Sequence, residues 1–169
     1  MIKVLYLGER GVVRDRRQAN LLYQKGCFGE FENNKLILSK EEILYLLEDG
    51  KINLVGNKGE IDLQEFLSSV SEDKEWFMKY LVYKDLRRRG YIVKTGLKFG
   101  ADFRVYERGE RPPDHSKYLV LVIPEERKFM PNELTRIARL AHSVRKRLWI
   151  AIVDKDSSIV YYEVLWKKP

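Results

Sequence analysis

Two short apolar runs, Tyr118 to Ile123 and Leu148 to Val153, flank a stretch with helical periodicity. Each run is nearly continuous and lacks the alternation of a strand with one wet face. That is the pattern of strands buried on both faces. Between them Leu134, Ile137, Ala138, Ala141, Val144 and Leu148 fall on one helical face. Pro124 is expected to end the first strand, and Asn132 to cap a helix running to about Lys146. Asp154-Lys155-Asp156-Ser157-Ser158 then turns the chain into a final strand, Ile159 to Trp166.

Upstream, Trp76, Phe77, Tyr80, Leu81 and Leu86 recur at helical spacing, with Gly90 as the stop. Tyr91 to Lys94 and Phe103 to Tyr106 read as strands. The order predicts an α/β (α+β) domain, a mixed sheet with helices packed on it, over residues 71–169. Residues 1–70 read as a separate small α/β unit. Its expected strands are Ile2 to Leu7, Gly11 to Arg14, Lys35 to Leu38 and Ile52 to Val55. A polar helix from Arg16 to Lys25 is closed by Gly26. Ser39 with Glu42, and Asp62 with Glu65, have the spacing of capping boxes.

Composition narrows the function. The 169 residues hold Lys+Arg 32 against Asp+Glu 25, a net charge of +7 that favours polyanionic partners. Cys27 is the single cysteine, which excludes an internal disulfide and a multi-cysteine zinc site. Only His115 and His142 are histidines, so a histidine-rich metal centre is excluded as well. No apolar run approaches the ~20 residues of a membrane span, and Met1-Ile2-Lys3-Val4 does not resemble a signal peptide. The expectation is a cytoplasmic protein without a membrane partner.

Three residues could share one task. His115 ends a loop rich in proline and glycine, where an imidazole is exposed. Tyr106 ends the strand before that loop. Lys146 lies on the polar side of the predicted helix with Arg139, His142 and Ser143. That row serves equally as a solvated basic face or as a surface that tracks phosphates. Cations in the last turn also suit the helix dipole, which gives Arg145, Lys146 and Arg147 a structural purpose. The Tyr106 strand, the His115 loop and the Lys146 helix end can all meet at one edge of the same sheet. A tyrosine, a histidine and a lysine suffice for RNA cleavage without metal, because RNA carries its own nucleophile, the 2′-hydroxyl. Histidine is a suitable general acid, and lysine neutralises charge on the phosphoryl oxygens. A phenol is only ~0.1% ionised at pH 7, so it needs a neighbouring cation to act as a base.

Tyr80-Leu81-Val82-Tyr83-Lys84-Asp85-Leu86-Arg87 and Gly90 through Tyr106 together resemble the archaeal tRNA-splicing endonucleases. So do His115-Ser116-Lys117-Tyr118-Leu119-Val120, Ala138 through Lys146, Ala151-Ile152-Val153-Asp154 and Val160-Tyr161-Tyr162. The resemblance covers about the last ninety residues. The N-terminal part is similar, more loosely, to the accessory domain of this tRNA-intron endonuclease family. What the resemblance implies is a restriction-nuclease-like catalytic domain that cuts precursor tRNA at bulge–helix–bulge junctions. The ends would be a 2′,3′-cyclic phosphate and a 5′-hydroxyl, with no metal or other cofactor. By the same resemblance Tyr106 is the general base, His115 the general acid and Lys146 the stabiliser of the transition state. Arg139 and Trp166 would grip a bulge base. Asp154 and Asp156 would dock into a neighbouring subunit of a homotetramer.

Two rivals stand beside this reading. Pro113-Asp114 followed by Glu126-Arg127-Lys128 matches the loose carboxylate–lysine pattern of Mg²⁺-dependent restriction-type nucleases. The other rival is a non-catalytic RNA-binding or structural subunit.

Overall fold

Three side-chain caps start the helices of the first compact unit, Met1–Lys74, in the computed structural model, which describes residues 1–169. The unit runs β1 (Ile2–Tyr6), β2 (Gly11–Val13), α1 (Arg16–Gly26), β3 (Glu30–Glu32), β4 (Lys35–Leu38), α2 (Lys40–Glu48), β5 (Ile52–Gly56), β6 (Gly59–Ile61) and α3 (Leu63–Ser71). The Asp15 carboxylate accepts from the Gln18 amide at 2.9 Å, and Asp62 from the Glu65 amide at 2.8 Å. Ser39 and Glu42 form a reciprocal capping box, as their spacing predicts. The sheet has the order β3-β4-β2-β1-β5-β6. Only the β1–β5 pair is parallel.

The strand reading missed β3 and β6. Both are three-residue arms of hairpins and show almost no apolar pattern of their own. β3 exists because Asn33 and Asn34 take φ of 49° and 65°, the left-handed pair that a two-residue hairpin turn requires. The end of α1 is also displaced by one residue. Cys27, not Gly26, adopts the left-handed conformation, with φ 53° and its amide donating to the Tyr23 carbonyl. Gly26 answers a different demand, since a Cβ there would lie 2.4 Å from the Phe28 ring.

The second unit, Glu75–Pro169, is built on a five-stranded mixed sheet. It comprises α4 (Lys74–Arg88), β7 (Val93–Thr95), a 3₁₀ turn (Leu97–Phe99), β8 (Phe103–Val105), β9 (Tyr118–Pro124), α5 (Pro131–Ser143), β10 (Arg147–Val153) and β11 (Ile159–Val164). The order is β11-β10-β9-β8-β7. The two apolar runs, β9 and β10, are neighbours and parallel, from Tyr118↔Arg147 to Pro124↔Val153. All other pairs are antiparallel. Parallel strands need a crossover, and α5 supplies it. Its Ile137 and Ala141 pack with Leu119, Ile123, Leu148 and Ile150 in one buried cluster. Each of these isoleucine and leucine side chains contributes ~1.5–3 kcal/mol on burial.

Both ends of α5 differ from the sequence reading. Asn132 is not the cap. Pro131 occupies the first helical position, where its missing N–H is harmless, and Glu133 reaches back to accept from the Met130 amide at 2.9 Å. The helix stops at Ser143, three residues early. Arg145 takes φ 58°, its amide donates to the His142 carbonyl, and the Lys146 amide donates to Ala141. These paired bonds are a Schellman motif, normally closed by glycine. Lys146 therefore sits in a turn, not on the helix face.

An arginine in that conformation is under mild strain. Arg145→Gly should keep or raise the melting temperature, whereas Arg145→Val should lose about 1–2 kcal/mol. Indistinguishable thermal melts for the two variants would contradict this account of the turn.

Candidate active site

Register places the three chemical candidates at one end of the second sheet. β8 runs antiparallel to β9 with Val105 opposite Tyr118, and β9 runs parallel to β10 with Tyr118 opposite Arg147. Tyr106 leaves β8 where Lys117 enters β9 and Lys146 enters β10. Two backbone bonds fix this row: the Lys117 amide donates to Val105 and the Arg147 amide to Lys117, both at 2.9 Å. Adjacent strands lie ~4.8 Å apart, so the Lys117 segment is flanked at that distance on each side and the Tyr106 and Lys146 backbones lie roughly 10 Å apart.

Tyr106 is 5% exposed, and its amide donates to the Ile92 carbonyl. His115 is exposed, next to the buried Ser116. The Lys146 ammonium donates to the Ser116 carbonyl at 2.5 Å and lies 5.1 Å from the centre of the Phe99 ring. Lys146 thus reaches the residue that follows His115. Burial holds its pKa below the ordinary lysine value, and the positive charges of Arg104 and Lys98 act in the same direction. An ammonium among cations gains from an incoming anion.

The neck of the His115 loop is closed by a carboxylate the sequence did not single out. Glu107 accepts from the Tyr118 hydroxyl at 2.7 Å, the Lys117 ammonium at 3.0 Å and the Arg108 amide at 3.1 Å. These donors hold its pKa well below the usual carboxylate range, at about 2. Burial, with Glu107 alongside, pushes the Tyr118 phenol up to about 12. Tyr118 is stacked on Trp149 with ring centres 3.8 Å apart. Ser116, Phe99 and Arg104 were likewise missed, because their contribution lies in a backbone carbonyl, a ring face and a distant charge. Glu107 was missed because its partners follow from the β8–β9 register, which brings it beside the start of β9.

Arg139 and Trp166 border different pockets of this chain. Arg139 is exposed on α5 and borders a shallow groove with Pro131, Asn132, Thr135 and Arg136. Trp166 lies beyond the end of β11 and meets the His142 imidazole edge-on, with ring centres 4.2 Å apart. Those two rings and Lys146 line an open cleft of about 580 Å³, together with Arg145 and Arg147. In the β10–β11 turn the Asp154 carboxylate accepts from the Asp156 and Ser158 amides, both at 2.9 Å, while Asp156 is exposed. Asp114 and Glu126 lie beyond opposite ends of β9. Seven residues of strand span ~23 Å, too far for two carboxylates to share a magnesium ion. No helix is long and apolar enough to cross a membrane.

The Glu107 contacts have an acid signature. The folded carboxylate binds its proton more weakly than the unfolded one, so its contribution is full above pH ~4.5 and is lost as pH falls towards 2. Glu107→Gln should flatten that part of the stability–pH curve in thermal melts. Parallel curves for the two proteins would refute the contribution.

Comparison with known proteins agrees with this architecture. Residues 76–161 match the family model for the tRNA intron endonuclease catalytic C-terminal domain, and residues 2–67 match that for the N-terminal domain. A tRNA-splicing endonuclease of Thermococcus kodakarensis is 46% identical over 167 residues, covering 98% of each chain. One from Thermococcus onnurineus is 45% identical over 95% of this chain and 94% of its own. One from Methanothermobacter thermautotrophicus is 44% identical over 89% of both. With both domain models matched and such relatives spanning nearly its whole length, the chain belongs to the tRNA intron endonuclease family and is an endonuclease.

Proposed function

We propose that the protein removes introns from precursor tRNA by metal-independent cleavage at bulge–helix–bulge junctions. The observation that carries this reading is the assembly of Tyr106, the His115 loop and Lys146 at one sheet end, with Lys146 bonded to the residue after His115. Residues 75–169 act as the catalytic domain and the first unit as the accessory one.

The chemistry needs no further reactant. Tyr106, acting as its phenolate, takes the proton from the ribose 2′-hydroxyl and becomes the phenol. The 2′-oxygen attacks the adjacent phosphorus, and the bond from phosphorus to the 5′-oxygen breaks. His115 gives its proton to that departing oxygen, leaving a 2′,3′-cyclic phosphate and a 5′-hydroxyl. Lys146 faces the charge that grows on the non-bridging oxygens. Its crowding by Arg104 and Lys98 supports that role, since negative charge arriving there relieves the repulsion.

Arg139 and Trp166 grip an unstacked bulge base, each offering a surface to which a π-face binds. A homotetramer holds two such sites a fixed distance apart by symmetry. The apolar side chains of Val160 and Tyr162, exposed on edge strand β11, give a second copy a surface to pair with. Asp156 is open to reach a neighbouring subunit, with Asp154 shaping its turn.

The test is cleavage of a bulge–helix–bulge RNA in excess EDTA, with analysis of the ends. Wild-type protein should yield cyclic phosphate and 5′-hydroxyl ends, and His115→Ala should cut about 10²–10⁴-fold more slowly at unchanged RNA affinity. A 5′-monophosphate, or full speed from His115→Ala, would reject the mechanism. Arg139→Ala should slow cleavage of the same bulged RNA, and an unchanged rate would reject the clamp.

A further inference from the structure

No side-chain hydrogen bond, ion pair or ring contact holds the His115 imidazole, so its position depends on the loop that carries it. That loop leaves the sheet at Glu107 and returns at Lys117. One carboxylate ties the two ends together: Glu107 accepts from the Lys117 ammonium and from the Tyr118 hydroxyl, at 3.0 and 2.7 Å. Both donors lie at the start of the returning strand, two and three residues after His115: Lys117 just before β9 and Tyr118 its first residue. The departing end is anchored as well. The Arg108 guanidinium donates to the Arg89 carbonyl at 3.1 Å and stacks 4.6 Å from the centre of the Tyr91 ring. Tyr91 in turn meets Trp149, on which Tyr118 is stacked.

We propose that Glu107 is a positioning residue for catalysis, closing the neck of the loop so that the His115 imidazole stands at the departing oxygen. The proposal rests on the reading of His115 as the general acid. Glu107 touches neither substrate nor reacting atoms. Without its carboxylate the Lys117 and Tyr118 donors lose their shared acceptor and the loop can pivot about the sheet end. A displacement of about 1 Å at a reacting group can cost on the order of 10²-fold in rate.

Single-turnover cleavage of a bulge–helix–bulge RNA by the full chain tests this, alongside RNA affinity by fluorescence anisotropy. Glu107→Ala should cleave about 10–100-fold more slowly with affinity unchanged, and Glu107→Gln, which keeps an acceptor oxygen, should recover most of the rate. A second RNA, with sulfur replacing the departing 5′-oxygen, isolates the acid step, because a thiolate leaves without being protonated. On that RNA the defects of His115→Ala and Glu107→Ala should both disappear. A defect of Glu107→Ala that persists there, or adds in full to that of His115→Ala on ordinary RNA, would overturn the proposal. So would full speed from folded Glu107→Ala while His115→Ala is slow, which leaves the acid assignment standing. Full speed from His115→Ala removes that assignment and the neck's purpose together. If Glu107→Ala does not fold, Tyr118→Phe takes its place, with the same pattern expected and full speed decisive against the proposal.

Discussion

Parallel pairing of β9 with β10 is the constraint on which the second unit depends. Because the two strands point the same way, both begin at the same end of the sheet. Because β8 is antiparallel to β9, it finishes there too. Residues far apart in the chain, Tyr106, His115 and Lys146, are thereby gathered by backbone hydrogen bonding before any side chain contributes. The helix crossover buries Ile137 and Ala141 against the sheet, so the forces that hold the fold also align the candidate site.

The turn at Arg145 adds the last adjustment. A helix continued through Lys146 would carry that lysine along its polar face. The left-handed residue ends the helix three positions sooner and redirects Lys146 towards Ser116. Local backbone strain of this kind is commonly found where function needs an awkward geometry.

Much of this was legible from residue order. The continuous apolar runs identified β9 and β10, because burial on both faces leaves no alternation. The spacing of Ser39 and Glu42 identified α2, because capping is a local reaction between side chain and backbone. The two N-terminal hairpin strands β3 and β6 were not legible, since their existence depends on turn conformation and on neighbours. The ends of α5 were misjudged for a related reason. Asn132 is a good cap by type, but Pro131 and Glu133 beside it together define a better start, and no residue type announces an arginine at positive φ. Among the candidate site residues, Tyr106, His115 and Lys146 could be singled out because each offers a reactive side chain. Ser116 could not, since it contributes a carbonyl. Glu107 could not, since its partners are identified by strand register.

The neck also divides the loop into parts with different evolutionary freedom. His115 is referenced to the returning strand, two residues from Lys117, and owes little to the apex around Gly109 and Pro113. Lengthening or rewriting that apex between Arg108 and Asp114 would leave the imidazole near its place. The tip can therefore change in length or composition without moving the strand end that carries the imidazole.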